Sequence, residues 1–261
     1  MHLADIGANL SHASFREDLD AVLARARAAG VETIVVTGTS VEESRHAAAL
    51  AEAHGLYSTA GVHPHHAREC DTGTIPALRA IAAQPRVVAL GECGLDFNRN
   101  YSPHPDQEKW FEAQLDLACE IGKPLFLHSR DAHPRFAEIL RHHRVGKAVA
   151  HCFTGEAAEL RAYLELGLYI GITGWICDER RGRHLVELVR EIPPERLLVE
   201  TDAPYLAPGK YRGKRNEPAY VVETAAVLAK VKRIAPEALA KATTDNFFRL
   251  YSKAERTAAV A

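Results

Sequence analysis

Residue types that ligate metals recur along this chain, each time directly after a short apolar run. The segments are Asp5-Ile6-Gly7-Ala8-Asn9, Gly61-Val62-His63-Pro64-His65-His66, Gly91-Glu92-Cys93-Gly94-Leu95-Asp96, His128-Ser129-Arg130-Asp131, His151-Cys152-Phe153-Thr154-Gly155 and Glu200-Thr201-Asp202-Ala203-Pro204-Tyr205. Neutral imidazole donates a nitrogen lone pair and carboxylate an oxygen. A mixed His/Asp/Glu set therefore suits Zn2+, Mn2+ or, with water completing the shell, Mg2+. Glu92, His128 and His151 can converge on one ion, with Asp202 as a further ligand or as the general base toward a water acidified to a pKa of ~7. His63 joins them as a ligand or, because Pro64 and two further histidines mark a loop, as a contact to substrate. Glu200 either faces the interior or holds a hydrogen bond behind a ligand. The chemistry open to such a set is metal-assisted hydrolysis.

Something must bring these segments together. Strands are expected at Leu3–Ile6, Thr33–Val36, Tyr57–Gly61, Arg86–Leu90, Pro124–Leu127, Ala148–Ala150, Leu168–Ile172 and Arg196–Val199. Helices are expected at Phe15–Ala29, Val41–His54, Pro76–Ala83, Pro105–Ile121, Asp131–His142, Ala157–Leu166, Arg183–Glu191, Val221–Val231 and Pro236–Leu250, several of them stopped by Gly30, Gly55, Gly122 or Gly167. Strict alternation of strand and helix argues for parallel strands with helical crossovers. Eight such units in 261 residues point to one closed (β/α)8 TIM barrel spanning 1–261, an α/β fold whose site lies at the C-terminal strand ends. No GxGxxG or GxxxxGK[ST] motif occurs, which leaves a nucleotide-cofactor reading without support.

Composition limits how substrate could be attracted. Lys+Arg is 32 and Asp+Glu is 34, a net charge of -2, so no global field draws nucleic acid or anionic lipid. Phosphate contacts would need local cations. Arg180, Arg181 and Arg183 follow the seventh strand, Lys210, Arg212, Lys214 and Arg215 follow the eighth, and Arg130 follows the fifth. Arg130 and Arg215, with His65, are the substrate-binding candidates; Phe97, Trp175 and Tyr205 could stack on bases. Of 14 histidines, His12, His46, His54, His142, His143 and His184 read as surface residues. Five dispersed cysteines form no CxxC pair, which fits a reducing cytoplasm. Neither a secretory leader nor an apolar run of ~18 residues is visible, so a cytoplasmic, membrane-free monomer is expected.

The same segments carry a resemblance. Ala60-Gly-Val-His-Pro-His65, Gly91-Glu-Cys-Gly-Leu-Asp96, His128-Ser-Arg-Asp131, His151-Cys-Phe-Thr-Gly155 and Glu200-Thr-Asp-Ala-Pro-Tyr205 together resemble the TatD family of metal-dependent deoxyribonucleases. Asp5-Ile-Gly-Ala-Asn9, Gly171 to Gly182 and Arg215-Asn-Glu-Pro218 narrow the match to the family's namesake branch, and the likeness runs from Asp5 to about Leu250. It implies a (β/α)8 barrel related to the amidohydrolases and hydrolysis of DNA phosphodiesters. The expected activity is a 3′–5′ exonuclease on single-stranded DNA, with RNA as a further substrate, in DNA repair or degradation. It implies Mg2+ as activator, with Mn2+ or Zn2+ as alternatives, ligands at Glu92, His128 and His151, a catalytic or ligating carboxylate at Asp202, and His63 near the scissile phosphate. Most of the wider family opens with Asp-x-His-x-His, where this chain has Gly7 and Asn9. A second metal should accordingly be weak or absent, and Asp202 and His63 should carry more of the proton and phosphate work.

Two rival readings follow from the residues. One is a small-molecule amidohydrolase or lactonase using the same barrel and metal logic; the basic loops and the lack of a strand-end lysine weigh against it. The other is a non-enzymatic nucleic-acid or scaffold protein with a relic site, against which stand the intact Glu92, His128, His151 and Asp202.

Overall fold

Eight apolar runs form eight parallel strands, hydrogen-bonded in sequence order. The computed structural model describes residues 2–180, 182–252 and 254. The strands are β1 (Leu3–Ala8), β2 (Val31–Val36), β3 (Tyr57–Ala60), β4 (Val87–Asp96), β5 (Leu125–Arg130), β6 (Ala148–Ala150), β7 (Tyr169–Ile172) and β8 (Leu197–Val199). Just past β8 the ring closes: Ala8 bridges Ala203, while the Asp202 amide donates to Gly7 O at 2.8 Å and the Asn9 amide to Ala203 O at 2.7 Å. The helices are α1 (Leu19–Ala28), α2 (Val41–His54), α3 (Thr74–Ala82), α4 (His104–Ile121), α5 (His133–His142), α6 (Ala157–Glu165), α7 (Arg183–Glu191), α8 (Val221–Lys232) and α9 (Pro236–Leu250).

Two apolar cores hold the layers. The larger lies between sheet and helices and includes Leu3, Val36, Leu90, Leu127, Phe111 and Phe136. The smaller fills the barrel with Ile6, Val35, Val88, Phe126, Val149 and Leu198, onto which α9 brings Phe247, Leu250 and Tyr251. This plug leaves the C-terminal strand ends for chemistry, as expected for the architecture.

Several boundaries differ from the sequence expectation, four of them near the candidate chemistry or its entry loops. β4 and β5 do not stop at Leu90 and Leu127; pairing continues through Gly94–His128 and Asp96–Arg130. Their polar residues therefore lie inside strands rather than after them. Polar composition hid this, because a barrel strand can carry its functional groups on the inner face of its last turns. The first helix starts at Leu19, with Ala13–Phe15 forming a 3-10 turn instead. The fifth starts at His133, because Asp131 adopts a left-handed conformation, φ 52°.

Gly94 makes the long β4–β5 pairing sterically feasible. Its φ is 149°, and a Cβ there would sit 1.9 Å from His128 O. Gly94→Ala is expected to destabilise the fold by about 3 kcal/mol or more through backbone strain and overpacking. A fall in the urea midpoint at unchanged slope would show it; an unshifted midpoint would mean that the two strands do not approach this closely.

Candidate metal centre

β4 presents Glu92, Gly94 and Asp96 on one face, because successive strand residues alternate sides. Both carboxylates are buried, at 5% and 1% exposure. Neighbouring strands supply the imidazoles. His63 Nε2, His128 Nδ1 and His151 Nε2 lie 3.2, 3.0 and 2.7 Å from the same oxygen, Glu92 Oε1. On its far side His151 Nδ1 faces Glu200 Oε2 at 3.4 Å, and His128 Nε2 faces Asp96 Oδ2 at 3.5 Å. His65 Nε2 completes the row at 2.6 Å from that Asp96 oxygen. Carboxylates and imidazoles thus alternate across the barrel mouth in the order Glu200, His151, Glu92, His128, Asp96, His65.

The charges set one another. Burial pushes the Glu92 carboxyl up, but His151 and His63 and the hydrogen bonds from His128 and His151 overcome this and hold it well below the ordinary range. Burial pushes His151 down, and Glu92 and Glu200 more than reverse it. Burial wins at His63, lowering it to about 4 and keeping the ring neutral at physiological pH. Asp202 is part-buried at the end of β8, held by Asn9 Nδ2 at 3.1 Å and in a left-handed conformation, φ 54°. Burial, then the charges of Glu92 and Glu200 against the opposing pull of His151, raises it to about 7.

These donors fit a divalent cation. One carboxylate oxygen offers two lone pairs, yet three imidazole nitrogens crowd Glu92 Oε1. His128 Nε2, His151 Nδ1 and Glu200 Oε2 are buried without a hydrogen-bond partner among the described residues. A cation beside Glu92 would take up the lone pairs of the imidazole nitrogens that one carboxylate oxygen cannot serve, while the far-side ring nitrogens face the carboxylates of Asp96 and Glu200. His63, Glu92 and His128 offer donor atoms that all lie within 4.8 Å of one another; His151 Nε2 reaches Glu92 from the side of Glu200.

The expected site residues divide accordingly. Glu92, His128, His151 and His63 come together, His65 joins them through Asp96, and Asp202 stands at the closing seam. Arg130 is exposed at the end of β5. Arg215 is engaged elsewhere, bidentate to Asp18 at 2.8 and 2.7 Å and 4.6 Å from the Phe15 ring centre. Lys210 pairs with Glu223 at 2.7 Å and Arg212 with Asp178 at 3.5 Å. Arg180 and Arg183 are exposed, and Arg181 lies outside the described residues. Asp96 was not among the sequence candidates, although its spacing of four from Glu92 in an uninterrupted strand was a usable signal. Gly7 also acquires a meaning: a Cβ there would meet Glu200 Oε2 at 2.8 Å, and one at Gly171 would meet Glu200 Oε1 at 2.5 Å. The two glycines make the room that the Glu200 carboxylate fills.

This arrangement can be placed among known proteins. The model of the family described as TatD related DNase matches residues 4–252. The chain belongs to that family. TatD relatives named 3'-5' ssDNA/RNA exonuclease TatD include one from Pantoea vagans (strain C9-1), 54% identical over 83% of this chain and 86% of its own. Another, from Pantoea ananatis (strain LMG 20103), is 49% identical over 95% of this chain and 98% of its own. Among solved structures, the YJJV TatD homologue of Escherichia coli K12 superposes with a TM-score of 0.89 at 32% identity, covering 96% of this chain and 98% of that one. The TatD-type barrel expected from the sequence is the fold observed.

Proposed function

We propose that this chain is a Mg2+-dependent 3′–5′ exonuclease of single-stranded DNA and RNA, working as a monomer in the cytoplasm on damaged or discarded strands. Support comes from the relatives of that name at about half identity over most of the chain, and from the carboxylate–imidazole row. The five cysteines are free thiols, in keeping with a reducing compartment. No helix among the described residues is long and apolar enough to cross a membrane. The single observation that carries the reading is the crowding of His63, His128 and His151 on Glu92 Oε1.

Glu92, His128 and His151, with Asp202, would hold the cation, and His63 either completes this set or meets the phosphate. When bound, the cation supplies Lewis-acid polarisation of a phosphoryl oxygen and eases deprotonation of water. Asp202, at the closing seam of the barrel, is the carboxylate that either ligates this cation or accepts the proton of the attacking water. Asn9 holds the Asp202 carboxylate in register, and Glu200 and Asp96 fix the rings of His151 and His128 from behind. His63 Nδ1 accepts the His65 amide at 3.1 Å, so its Nε2 faces Glu92 and is the atom that donates there or turns to the cation or phosphate; Arg130 at the rim can meet a neighbouring phosphate.

The test is a single-stranded DNA oligonucleotide labelled at its 5′ end, with an RNA of the same sequence beside it, incubated with Mg2+ or with EDTA. The expected result is a ladder shortening from the unlabelled end in Mg2+ and none in EDTA. Cleavage that survives the chelator, or a wild-type chain inert with every divalent cation tried, overturns the reading.

A further inference from the structure

The rim above the metal centre carries two exposed tyrosines that no packing requirement explains. Among the described residues the exposed large hydrophobic side chains are Tyr101, Tyr205 and Ile234, and the two tyrosines, each 52% exposed, stand on this rim. Single exposed apolar residues are ordinary on protein surfaces; these two are set apart by how rigidly they are displayed.

Tyr101 lies in the loop from β4 to α4. Asp96 Oδ1 accepts the amides of Asn98 at 3.0 Å and Arg99 at 2.8 Å. Asn100 is left-handed, φ 54°, and donates to Phe97 O at 3.0 Å, while the His104 ring stacks on Phe97 at 3.7 Å. Buried Gln107 donates to Asp96 O at 3.1 Å and Ser102 O at 2.8 Å, spanning the loop. Tyr205 is held in a parallel way after β8. Buried Asn216 donates to Thr201 O at 2.9 Å and Tyr205 O at 2.6 Å, and its amide donates to Pro204 O at 3.0 Å. A buried amide side chain therefore pins each loop, and an aromatic ring is left in water on top of it. Rings displayed this way lose little further freedom when something stacks on them.

Both rings adjoin the site. The Tyr101 ring is edge-on to His65 at 4.7 Å, and His65 is 4.2 Å from His63. Tyr205 follows Asp202 by three residues, and His12 stands edge-on to it at 6.0 Å. Burial and then the charges of Asp202 and Glu92 push its phenol up. One platform thus stands on the His65 flank of the row and the other on the Asp202 flank.

We infer that Tyr101 and Tyr205 are stacking platforms for the unpaired bases on either side of the scissile phosphate. The inference rests on the nuclease reading and deepens it: the ligand is single-stranded nucleic acid gripped by the faces of its bases. Every base has a π-face, so such a grip tolerates any sequence. Bases paired in a duplex keep those faces covered by their neighbours, so the same grip favours single strands.

The experiment measures kcat and KM on oligonucleotides carrying one abasic residue at each of the last four 3′ positions. Wild type is expected to lose about tenfold in kcat/KM, through KM, at two of these positions. In Tyr101→Leu one of the two penalties disappears, in Tyr205→Leu the other does, and Tyr→Trp at either site restores the wild-type profile. A merely structural role would instead lower activity evenly on intact and abasic substrates. Even losses of that kind, a wild type indifferent to abasic residues, or leucine variants that keep both penalties would each overturn the inference. A wild type that cleaves no strand at all overturns the nuclease reading instead, so the two failures are distinguishable.

Discussion

Glu92→Ala is expected to lower kcat/KM on single-stranded DNA by at least ~10³-fold and to abolish tight Mn2+ binding in calorimetry. Glu92 Oε1 is where His63, His128 and His151 meet, so its removal deprives the site of its central oxygen donor and three imidazoles of a shared partner. Lewis-acid stabilisation of a developing phosphoryl charge amounts to several kcal/mol, and each 1.36 kcal/mol is tenfold in rate. Because alanine also opens a buried space, Glu92→Gln separates chemistry from packing. The amide keeps the volume and one acceptor oxygen but removes the charge, so it should fold and still bind Mn2+ far more weakly than wild type. A Gln variant with wild-type Mn2+ affinity would show that the cation, if any, sits elsewhere.

The site was legible in outline because its residues lie at strand ends, where a barrel must place them, and because His, Glu and Asp repeat there. Composition at a strand end cannot tell where pairing stops. Gly94 against His128 lets β4 and β5 run on, which turns Asp96 from a loop residue into the partner of His65 and His128. Arg215 was unreadable for the opposite reason. Its attraction to Asp18 joins residues almost two hundred positions apart, and nothing local in the sequence announces that an exposed-looking arginine is already paired. Glu200 shows a third limit. Its place at the barrel axis depends on the missing side chains of Gly7 and Gly171. The sequence presents Gly7 only as a lost ligand, whereas in the fold it is space for a carboxylate.

Asp202→Asn is expected to cost ~10²–10⁴ in kcat and yet to stabilise the cation-free protein at alkaline pH. The Asp202 carboxyl is raised from an ordinary 3.8 to about 7 by burial and by its acidic neighbours. An unfolded chain releases this proton near pH 4, whereas the folded chain keeps it to about 7. Between those values the folded state binds more protons, so stability falls as pH rises, and the loss is complete above about 7. The full distance corresponds to about 4 kcal/mol; with Asp202 part-exposed to screening solvent, about 2 kcal/mol is expected. Asparagine has no charge to desolvate and can still accept from Asn9 through its own Oδ1. Asp5, raised to about 8 by burial, destabilises both proteins alike over the same range and cancels in the comparison. Urea unfolding in EDTA should therefore show the variant ahead of wild type at pH 8 and level with it near pH 4. Saturating Mn2+ should close the gap at pH 8, because a cation supplies the counter-charge that the wild-type carboxylate lacks and asparagine cannot use as well. A variant less stable than wild type at pH 8 in EDTA would mean that Asp202 is kept for the fold. A gain in stability that vanishes with cation, joined to a loss of turnover, is what a carboxylate held in place for catalysis against its own electrostatic preference would give.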